Sequence, residues 1–201
     1  MAETPDTIAS AAVAPTADTA NSKILIVGDS LSAGYGLEPE ESWVALLQNR
    51  LTAEGYGQTV VNASISGDTT GGGLRRLPRA LEAHQPGIVV IELGGNDGLR
   101  GTPVTVIRQN VAGMIGLAQD AGARVVIAGM VMPPNYGQKY TDAFAAVFTD
   151  LADDYDAALV PFFMDGVALD STKMQPDQIH PNADGQPILL DNIWPVLREL
   201  L

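Results

Sequence analysis

One serine and one histidine stand where they could act together as a nucleophile and its base. Ser30 follows closely after the apolar run 24–27, and the chain of 201 residues has two histidines, His84 and His180. A serine hydroxyl attacks a carbonyl carbon only once a base takes its proton, and an imidazole is the usual base. The chain has no cysteine, which excludes a thiol nucleophile, disulfides and thiolate zinc sites.

His180 is the better candidate for that base. Asp177 lies three residues before it, so one turn can carry both side chains while the carboxylate supports the imidazole N–H and its tautomer. Pro181 restricts the backbone of His180 to extended conformations. His84 ends a helical pattern just before an apolar run, which places it at the amino end of a strand, away from Ser30. We therefore predict a catalytic triad of Ser30, His180 and Asp177.

Acyl transfer also needs N–H donors aimed at the oxyanion that develops on the substrate. The backbone N–H of Ser30 is one candidate. Gly67, in the polar segment 62–68, is a second, because a residue without Cβ lets the backbone approach the substrate closely. The side-chain amide of Asn96, which we expect in a turn at 94–97, is the third. These three donors make up the predicted oxyanion hole.

Alternating strands and helices are predicted to position these residues. Five short apolar runs are continuous and rich in β-branched residues, as in parallel strands that are covered on both faces. They are residues 24–27, 59–61, 88–91, 124–128 and 158–160. Helical patterns cover about 40–54, 72–84, 103–121, 143–155 and 187–201. This alternation indicates an α/β fold with a parallel sheet, in which ligands bind beyond the carboxyl ends of the strands.

The glycine-rich loops match neither the nucleotide-binding motifs nor the nucleophile elbow of the α/β-hydrolases. Gly67 and Gly72 have the spacing of a P-loop, but Gly73 and Leu74 stand where lysine and serine or threonine should follow. The dinucleotide-binding pattern fails for lack of its third glycine. The segment 28–32 reads Gly-Asp-Ser-Leu-Ser, which lacks the second glycine of the G-x-S-x-G nucleophile elbow. We predict no cofactor.

Composition excludes further classes of function. The chain carries 11 Lys and Arg against 24 Asp and Glu, a net charge of −13, which argues against nucleic acid as a partner. We interpret the arginine group Arg75, Arg76 and Arg79 as the solvated face of a helix. Two distant histidines are too few for a metal site, and we predict no metal. No apolar run is long enough to span a membrane, so we expect no stable membrane insertion.

Residues 1–22 differ in composition from the rest of the chain. They are rich in Ala, Thr, Pro, Ser and Asp without periodicity, and we interpret them as a flexible leader before a single domain at 23–201. They do not form an intact signal peptide but resemble the spacer that remains after an export signal is removed. We expect a periplasmic or secreted protein, and a ragged cytoplasmic N-terminus stays open as the alternative.

Four blocks of the sequence resemble those of the SGNH (GDSL) hydrolase superfamily. They are GDSLSAGYG at 28–36, NASISGDTT at 62–70, ELGGNDGLRG at 92–101 and DQIHPN at 177–182. Within that superfamily the chain resembles the bacterial group of thioesterase I, lysophospholipase L1 and arylesterase, which the segments PNYG at 134–137 and PFFM at 161–164 also match. The likeness runs from about residue 23 to the C-terminus.

The resemblance implies a fold, a site and an activity. The fold would be a three-layer α/β/α sandwich with a five-stranded parallel sheet in flavodoxin-like order. Ser30 would be the nucleophile, His180 the base and Asp177 its support, with Ser30, Gly67 and Asn96 in the oxyanion hole. The protein would be a serine esterase that needs no cofactor or metal.

The same resemblance implies the substrates and leaves alternatives open. The partner would be a small-molecule acyl ester or thioester: aryl esters, short-to-medium acyl esters, acyl-thioesters or lysophospholipids. We expect a monomer or a weak homo-oligomer. A carbohydrate acetyl esterase of the same superfamily is one alternative. A small-molecule binding module without catalytic activity is another, and its signature would be a damaged triad or a missing oxyanion donor.

Overall fold

In a computed structural model of the protein, which describes residues 22–201, five parallel strands form one sheet. They are β1 (Lys23–Gly28), β2 (Thr59–Asn62), β3 (Ile88–Glu92), β4 (Arg124–Ala128) and β5 (Ala158–Val160). Their order in the sheet is β2-β1-β3-β4-β5, which is the flavodoxin-like order. All five predicted strands are confirmed, and no predicted end differs from the structure by more than one residue.

Seven α-helices lie between and after the strands in the described part of the chain. They are α1 (Ser30–Ala33), α2 (Trp43–Ala53), α3 (Thr70–His84), α4 (Gly95–Leu99), α5 (Val104–Asp120), α6 (Gln138–Tyr155) and α7 (Gln186–Arg198). The five long helices were predicted, although α6 begins five residues earlier than expected because its first turn is polar and exposed. The short helix α4 was expected as a turn, since its sequence GNDGL is rich in turn-forming residues.

The sheet is covered by helices on both faces, which gives three layers. Helices α3, α5 and α6 pack on one face, where Leu25 and Val27 of β1 point, and α2 and α7 pack on the other, where Ile24 and Ile26 point. All four side chains are fully buried. Strands buried on both faces need apolar residues at every position, which is why the runs in the sequence are continuous.

The predicted flexible leader falls, except for Ser22, outside the residues that the structure describes. The expectation of export therefore stays a prediction. Across residues 22–201, no helix combines the length and the apolar character that crossing a membrane requires.

Candidate active site

Two residues that are 150 positions apart in the chain meet at the carboxyl edge of the sheet. Ser30 begins α1 directly after β1, and its Oγ lies 2.9 Å from Nε2 of His180. On the other side of the imidazole ring, Nδ1 lies 2.6 Å from Oδ2 of Asp177. The structure thus brings the three residues of the predicted triad into one continuous chain of hydrogen bonds.

The carboxylate of Asp177 shapes the turn that carries His180. Its Oδ1 accepts the backbone N–H groups of Ile179 and His180, each at 3.0 Å, while Gln178, which directly follows Asp177, takes a left-handed φ of 56°. The hydrogen bond with the His180 ring, together with these two backbone donors, lowers the pKa of Asp177 to about 2. An ionised Asp177 accepts a hydrogen bond from Nδ1–H, so Nε2 of His180 is free to accept a proton from Ser30.

A tyrosine and a glutamine hold the histidine turn against the nucleophile. The ring of Tyr35 lies 4.5 Å from the His180 ring, centroid to centroid. The amide of Gln175 donates to the carbonyl of Tyr35 at 2.7 Å and to that of Pro181 at 3.0 Å, and its backbone N–H donates to the carbonyl of His180 at 2.7 Å. Gln175 therefore joins the segment after Ser30 to the segment around His180.

The second histidine is far from this edge. His84 is the last residue of α3 and precedes the amino end of β3, so it lies at the opposite edge of the sheet from Ser30, as predicted. In residues 22–201 no three His, Asp or Glu side chains are grouped closely enough to hold a metal ion.

The three predicted oxyanion donors follow three neighbouring strands of the sheet. In the sheet β1 lies between β2 and β3, so Ser30 follows the middle strand, Gly67 follows one neighbour and Asn96 follows the other. Within residues 22–201, the backbone N–H groups of Ser30 and Gly67 have no hydrogen-bond acceptor. Gly67 is exposed and takes a φ of 78°, a conformation that favours glycine. The Asn96 amide donates one N–H to Asp29 at 2.9 Å and has a second one to offer.

Asn96 is held in place by residues that the sequence reasoning missed. It lies in α4, whose next residue, Asp97, is buried and accepts the backbone N–H and the hydroxyl of Thr70, each at 2.8 Å. The Asn110 amide also donates to the Thr70 hydroxyl. These bonds fasten α4 to the start of α3. Only the position of Asp97 beside Asn96 could have signalled this role in the sequence.

Two carboxyl groups are buried beside the segment that carries Ser30. Glu92, the last residue of β3, accepts the Ser32 hydroxyl at 2.6 Å and the backbone N–H of Asp29 at 3.3 Å on its Oε2. A Cβ at Gly28 would lie 2.6 Å from that oxygen, so only glycine fits there. Burial raises the pKa of Asp29 to about 6, and burial together with the neighbouring Asp29 raises the pKa of Glu92 well above its ordinary range.

One of the three grouped arginines is not on a solvated face. Arg75 and Arg79 are exposed as predicted, but the prediction was wrong for Arg76, whose side chain is 21% exposed and forms an ion pair with Asp68 at 2.7 Å. It also donates to the backbone carbonyls of two residues at the strand ends. The residue one position on, Leu77, is fully buried, and this proximity to the buried face of α3 was the signal available in the sequence.

The chain is similar to known hydrolases over most of its length. The family described as the GDSL-like lipase/acylhydrolase family matches residues 26–188. Esterase TesA of Pseudomonas aeruginosa is 52% identical over 92% of this chain and 92% of its own. Thioesterase 1/protease 1/lysophospholipase L1 of Escherichia coli K12 is 45% identical over 84% of this chain and 79% of its own. A crystal structure of TesA, 52% identical, superposes with a TM-score of 0.87 and covers 89% of this chain and 99% of that one.

Proposed function

The chain belongs to the GDSL-like lipase/acylhydrolase family and is a carboxylic ester hydrolase, and we propose that it cleaves its substrates through an acyl-enzyme on Ser30. The observation that carries this proposal is the separation of 2.9 Å between Ser30 Oγ and His180 Nε2. A nucleophile and a base within hydrogen-bonding distance, with the base oriented by a third group, is the arrangement that activates a serine.

The first step forms the acyl-enzyme. The Ser30 hydroxyl gives its proton to Nε2 of His180 while its oxygen bonds to the carbonyl carbon of the substrate, and the carbonyl oxygen becomes an oxyanion. The tetrahedral intermediate then collapses, and the alcohol, phenol or thiol leaves with the proton from Nε2. Asp177 keeps its negative charge throughout and stabilises the imidazolium that forms between these two events.

The second step releases the acid. Water takes the place of the leaving group and gives a proton to Nε2 of His180 as its oxygen bonds to the acyl carbon. Collapse of this second intermediate breaks the bond to Ser30, whose oxygen recovers the proton, and frees the carboxylic acid. In both steps the oxyanion receives hydrogen bonds from the N–H groups of Ser30 and Gly67 and from the second N–H of Asn96, a kind of donor worth about 2.7–4 kcal/mol.

The open surface around the site suits substrates with an apolar acyl or aryl group. Ile65, Leu99 and Ile179 lie within three residues of Gly67, Asn96 and His180 respectively, and their side chains are about half exposed. We therefore propose aryl esters and short-to-medium acyl esters as substrates, together with the thioesters and lysophospholipids that the name of the Escherichia coli relative indicates.

A groove beside α4 is suited to the acyl chain. Its volume is about 520 Å³, within the range of small-molecule sites, and it is formed by Val104, residues 136–140 and Ala143. The hydroxyl of Tyr136 reaches the carbonyl of Leu99 at 3.4 Å, which places the groove next to the segment that follows Asn96. Neither Ser30 nor His180 lines it, so we assign it to the chain of the substrate and not to the reacting carbonyl.

Replacement of the nucleophile tests the mechanism directly. We expect Ser30→Ala to abolish hydrolysis of p-nitrophenyl esters and to prevent labelling by a fluorophosphonate, which in the wild-type protein should map to Ser30 by mass spectrometry. Thr149→Ala, which also removes a hydroxyl, is the matched control, because Thr149 is exposed and lies in α6, outside the segments that carry Ser30, Asp177 and His180. Undiminished turnover by a verified Ser30→Ala protein would refute the acyl-enzyme mechanism.

A substrate panel tests the proposed specificity. Turnover of p-nitrophenyl acetate through palmitate, an acyl-thioester and a lysophospholipid should be compared with release of acetate from an acetylated sugar. We expect cleavage of the aryl and acyl esters. A strong preference for the acetylated sugar would favour the carbohydrate acetyl esterase, and binding without turnover would favour the binding module.

A further inference from the structure

The turn that carries Gly67 is exposed and is joined to the nucleophile's strand by few backbone bonds. The Ala63 N–H donates to the carbonyl of Ile26 at 2.9 Å and the Ile65 N–H to that of Gly28 at 3.1 Å, while the Asp68 N–H donates within the turn to the carbonyl of Ile65 at 3.0 Å. An oxyanion donor must be held to a fraction of an ångström to be effective. Two backbone bonds on a surface loop give weak restraint, because such loops open readily.

The planar guanidinium of Arg76 adds three bonds, two to this turn and one to the end of β1. Its Nε donates to the carboxylate of Asp68 at 2.7 Å, its Nη2 donates to the carbonyl of Gly28 at 3.1 Å, and its Nη1 donates to the carbonyl of Ala63. Gly28 ends β1 two residues before Ser30, Ala63 follows β2, and Asp68 is the neighbour of Gly67. The Arg76 guanidinium thus joins β1, which leads to Ser30, to both ends of the turn at 63–68 that carries Gly67.

Residues near Arg76 in the chain hold the Asp68 carboxylate where Arg76 contacts it. A Cβ at Gly72 would lie 1.7 Å from Oδ1 of Asp68, so glycine is required for the carboxylate to rest on the first turn of α3. There Oδ1 also accepts the backbone N–H of Thr69 at 2.9 Å, and the Thr69 hydroxyl in turn accepts the N–H of Gly72 at 3.2 Å. Contacts with Gly72, Thr69 and Arg76 therefore fix the position of the Asp68 carboxylate, and the carboxylate in turn holds the Arg76 guanidinium.

We propose that Arg76, paired with Asp68, is a positioning residue that sets the place of the Gly67 N–H relative to Ser30. This inference rests on the proposed function, since it assigns Gly67 to the oxyanion hole. Asp68 neutralises the charge of Arg76, so the contribution is geometric and not a direct attraction for the oxyanion. A lysine could not replace it, because an ammonium group lacks the flat fork that reaches three acceptors in fixed directions.

The test separates transition-state stabilisation from substrate binding. We expect Arg76→Met to lower kcat on p-nitrophenyl butyrate by about 10- to 100-fold, because the Gly67 donor is displaced and not removed. KM should change by less than about threefold, since the ground-state carbonyl gains little from the oxyanion hole. The affinity for an alkylboronic acid, which forms a tetrahedral adduct with an active-site serine, should fall by the same factor as kcat/KM.

Matched variants control for charge and for folding. Arg79→Met removes an exposed arginine from the same helix and should leave kcat, KM and boronate affinity unchanged. Arg76→Lys keeps the charge and should still lose about 10-fold in kcat. Asp68→Asn should lose less than Arg76→Met, and the double variant should be no worse than Arg76→Met alone, because both residues act through one contact. Circular dichroism and Tm establish that each variant is folded at the assay temperature.

Each outcome decides for or against the role of Arg76. A fall in kcat/KM matched by the same fall in boronate affinity, with Arg79→Met unaffected, supports it. A folded Arg76→Met protein with kcat within about twofold of wild type overturns it, as does a loss of kcat without a loss of boronate affinity. If Arg76→Met does not fold, Arg76→Lys and Asp68→Asn decide by the same two criteria. The proposed function is judged separately, by whether Ser30→Ala abolishes turnover in the wild-type background.

Discussion

Replacing Glu92 with glutamine tests whether this buried carboxyl group is neutral in the folded protein. Glu92 is fully buried, and no Lys or Arg within residues 22–201 forms an ion pair with it. Its Oε2 accepts two hydrogen bonds, from Ser32 and Asp29, while its buried Oε1 has no partner among the described residues. Glutamine can present an oxygen to the same two donors and has the shape of the protonated acid, so the substitution removes the titration and little else.

The sign of the effect follows from the direction of the pKa. The folded state holds the pKa of Glu92 well above its ordinary value of 4.5, so the unfolded chain loses this proton first as the pH rises. The contribution of Glu92 to the free energy of unfolding therefore falls by about 1.4 kcal/mol per pH unit from pH 4.5 up to the raised pKa. Asp29, whose pKa is raised from 3.8 to about 6, lowers the free energy of unfolding by about 3 kcal/mol more as the pH rises. Because Asp29 is present in both the wild type and the Glu92→Gln protein, it does not contribute to the difference between them.

Urea unfolding at several pH values measures the difference. Trp43 and Trp194 are buried, so their fluorescence reports unfolding. The Glu92→Gln protein should match the wild type at pH 4 and should exceed it by a margin that grows above pH 4.5. Glu82→Gln, an exposed position on α3, should show no such trend. If Glu92→Gln is destabilised equally at every pH, the carboxyl group is not held neutral and the reasoning fails.

Two further predictions concern the triad and the packing of α3. Asp177→Asn should lower kcat by about 10²- to 10⁴-fold with measurable turnover left, because Asp177 orients the imidazole and does not transfer the proton; loss comparable to that of the nucleophile variant would contradict this. Gly73→Ala should lower the free energy of unfolding by about 1–3 kcal/mol, because its Cβ would lie 2.3 Å from Leu93, whereas Gly116→Ala, with nothing within 4 Å, should raise it by up to about 1 kcal/mol. Thermal unfolding of the two variants measures this contrast.

The parts of the fold that local chemistry decides were predictable from the sequence. A strand buried on both faces must be apolar at nearly every position, and this pattern predicted the five strands, although the edge strand β2 has no fully buried residue. No single apolar run determines the order of the strands in the sheet, and we expected that order only through the resemblance to a known family. Helix α4 was missed because GNDGL has weak helix propensity. It is helical because Asp97 is anchored to Thr70, a residue 27 positions away in the chain.

The residues of the site fall into the same two groups: some could be predicted from the sequence, and others could not. Ser30, Asp177 and His180 could be predicted as candidates because their residue types suit a triad and Asp177 lies three residues before His180. Arg76 and Glu92 could not, because their roles depend on neighbours from other elements: Arg76 bonds to a carbonyl that is 48 positions away, and Glu92 bonds to a hydroxyl that is 60 positions away. A charged residue has the same appearance in the sequence whether it faces solvent or a strand end.

Ser30 and His180 meet only because the chain crosses back over the sheet after β5. No motif in the sequence predicts that crossing. The chain leaves the sheet at β5, the edge strand, and must cross back over β4 and β3 before His180 can reach the end of β1. Buried glutamine side chains are costly unless their amides are paired, and Gln186 is paired at this crossing: its Oε1 accepts the backbone N–H of Trp43 at 2.9 Å. That N–H begins α2 and would otherwise have no partner within the helix. This hydrogen bond fixes the start of α7 against the start of α2. Together with the hydrogen bonds of Gln175, it holds the turn of His180 next to Ser30.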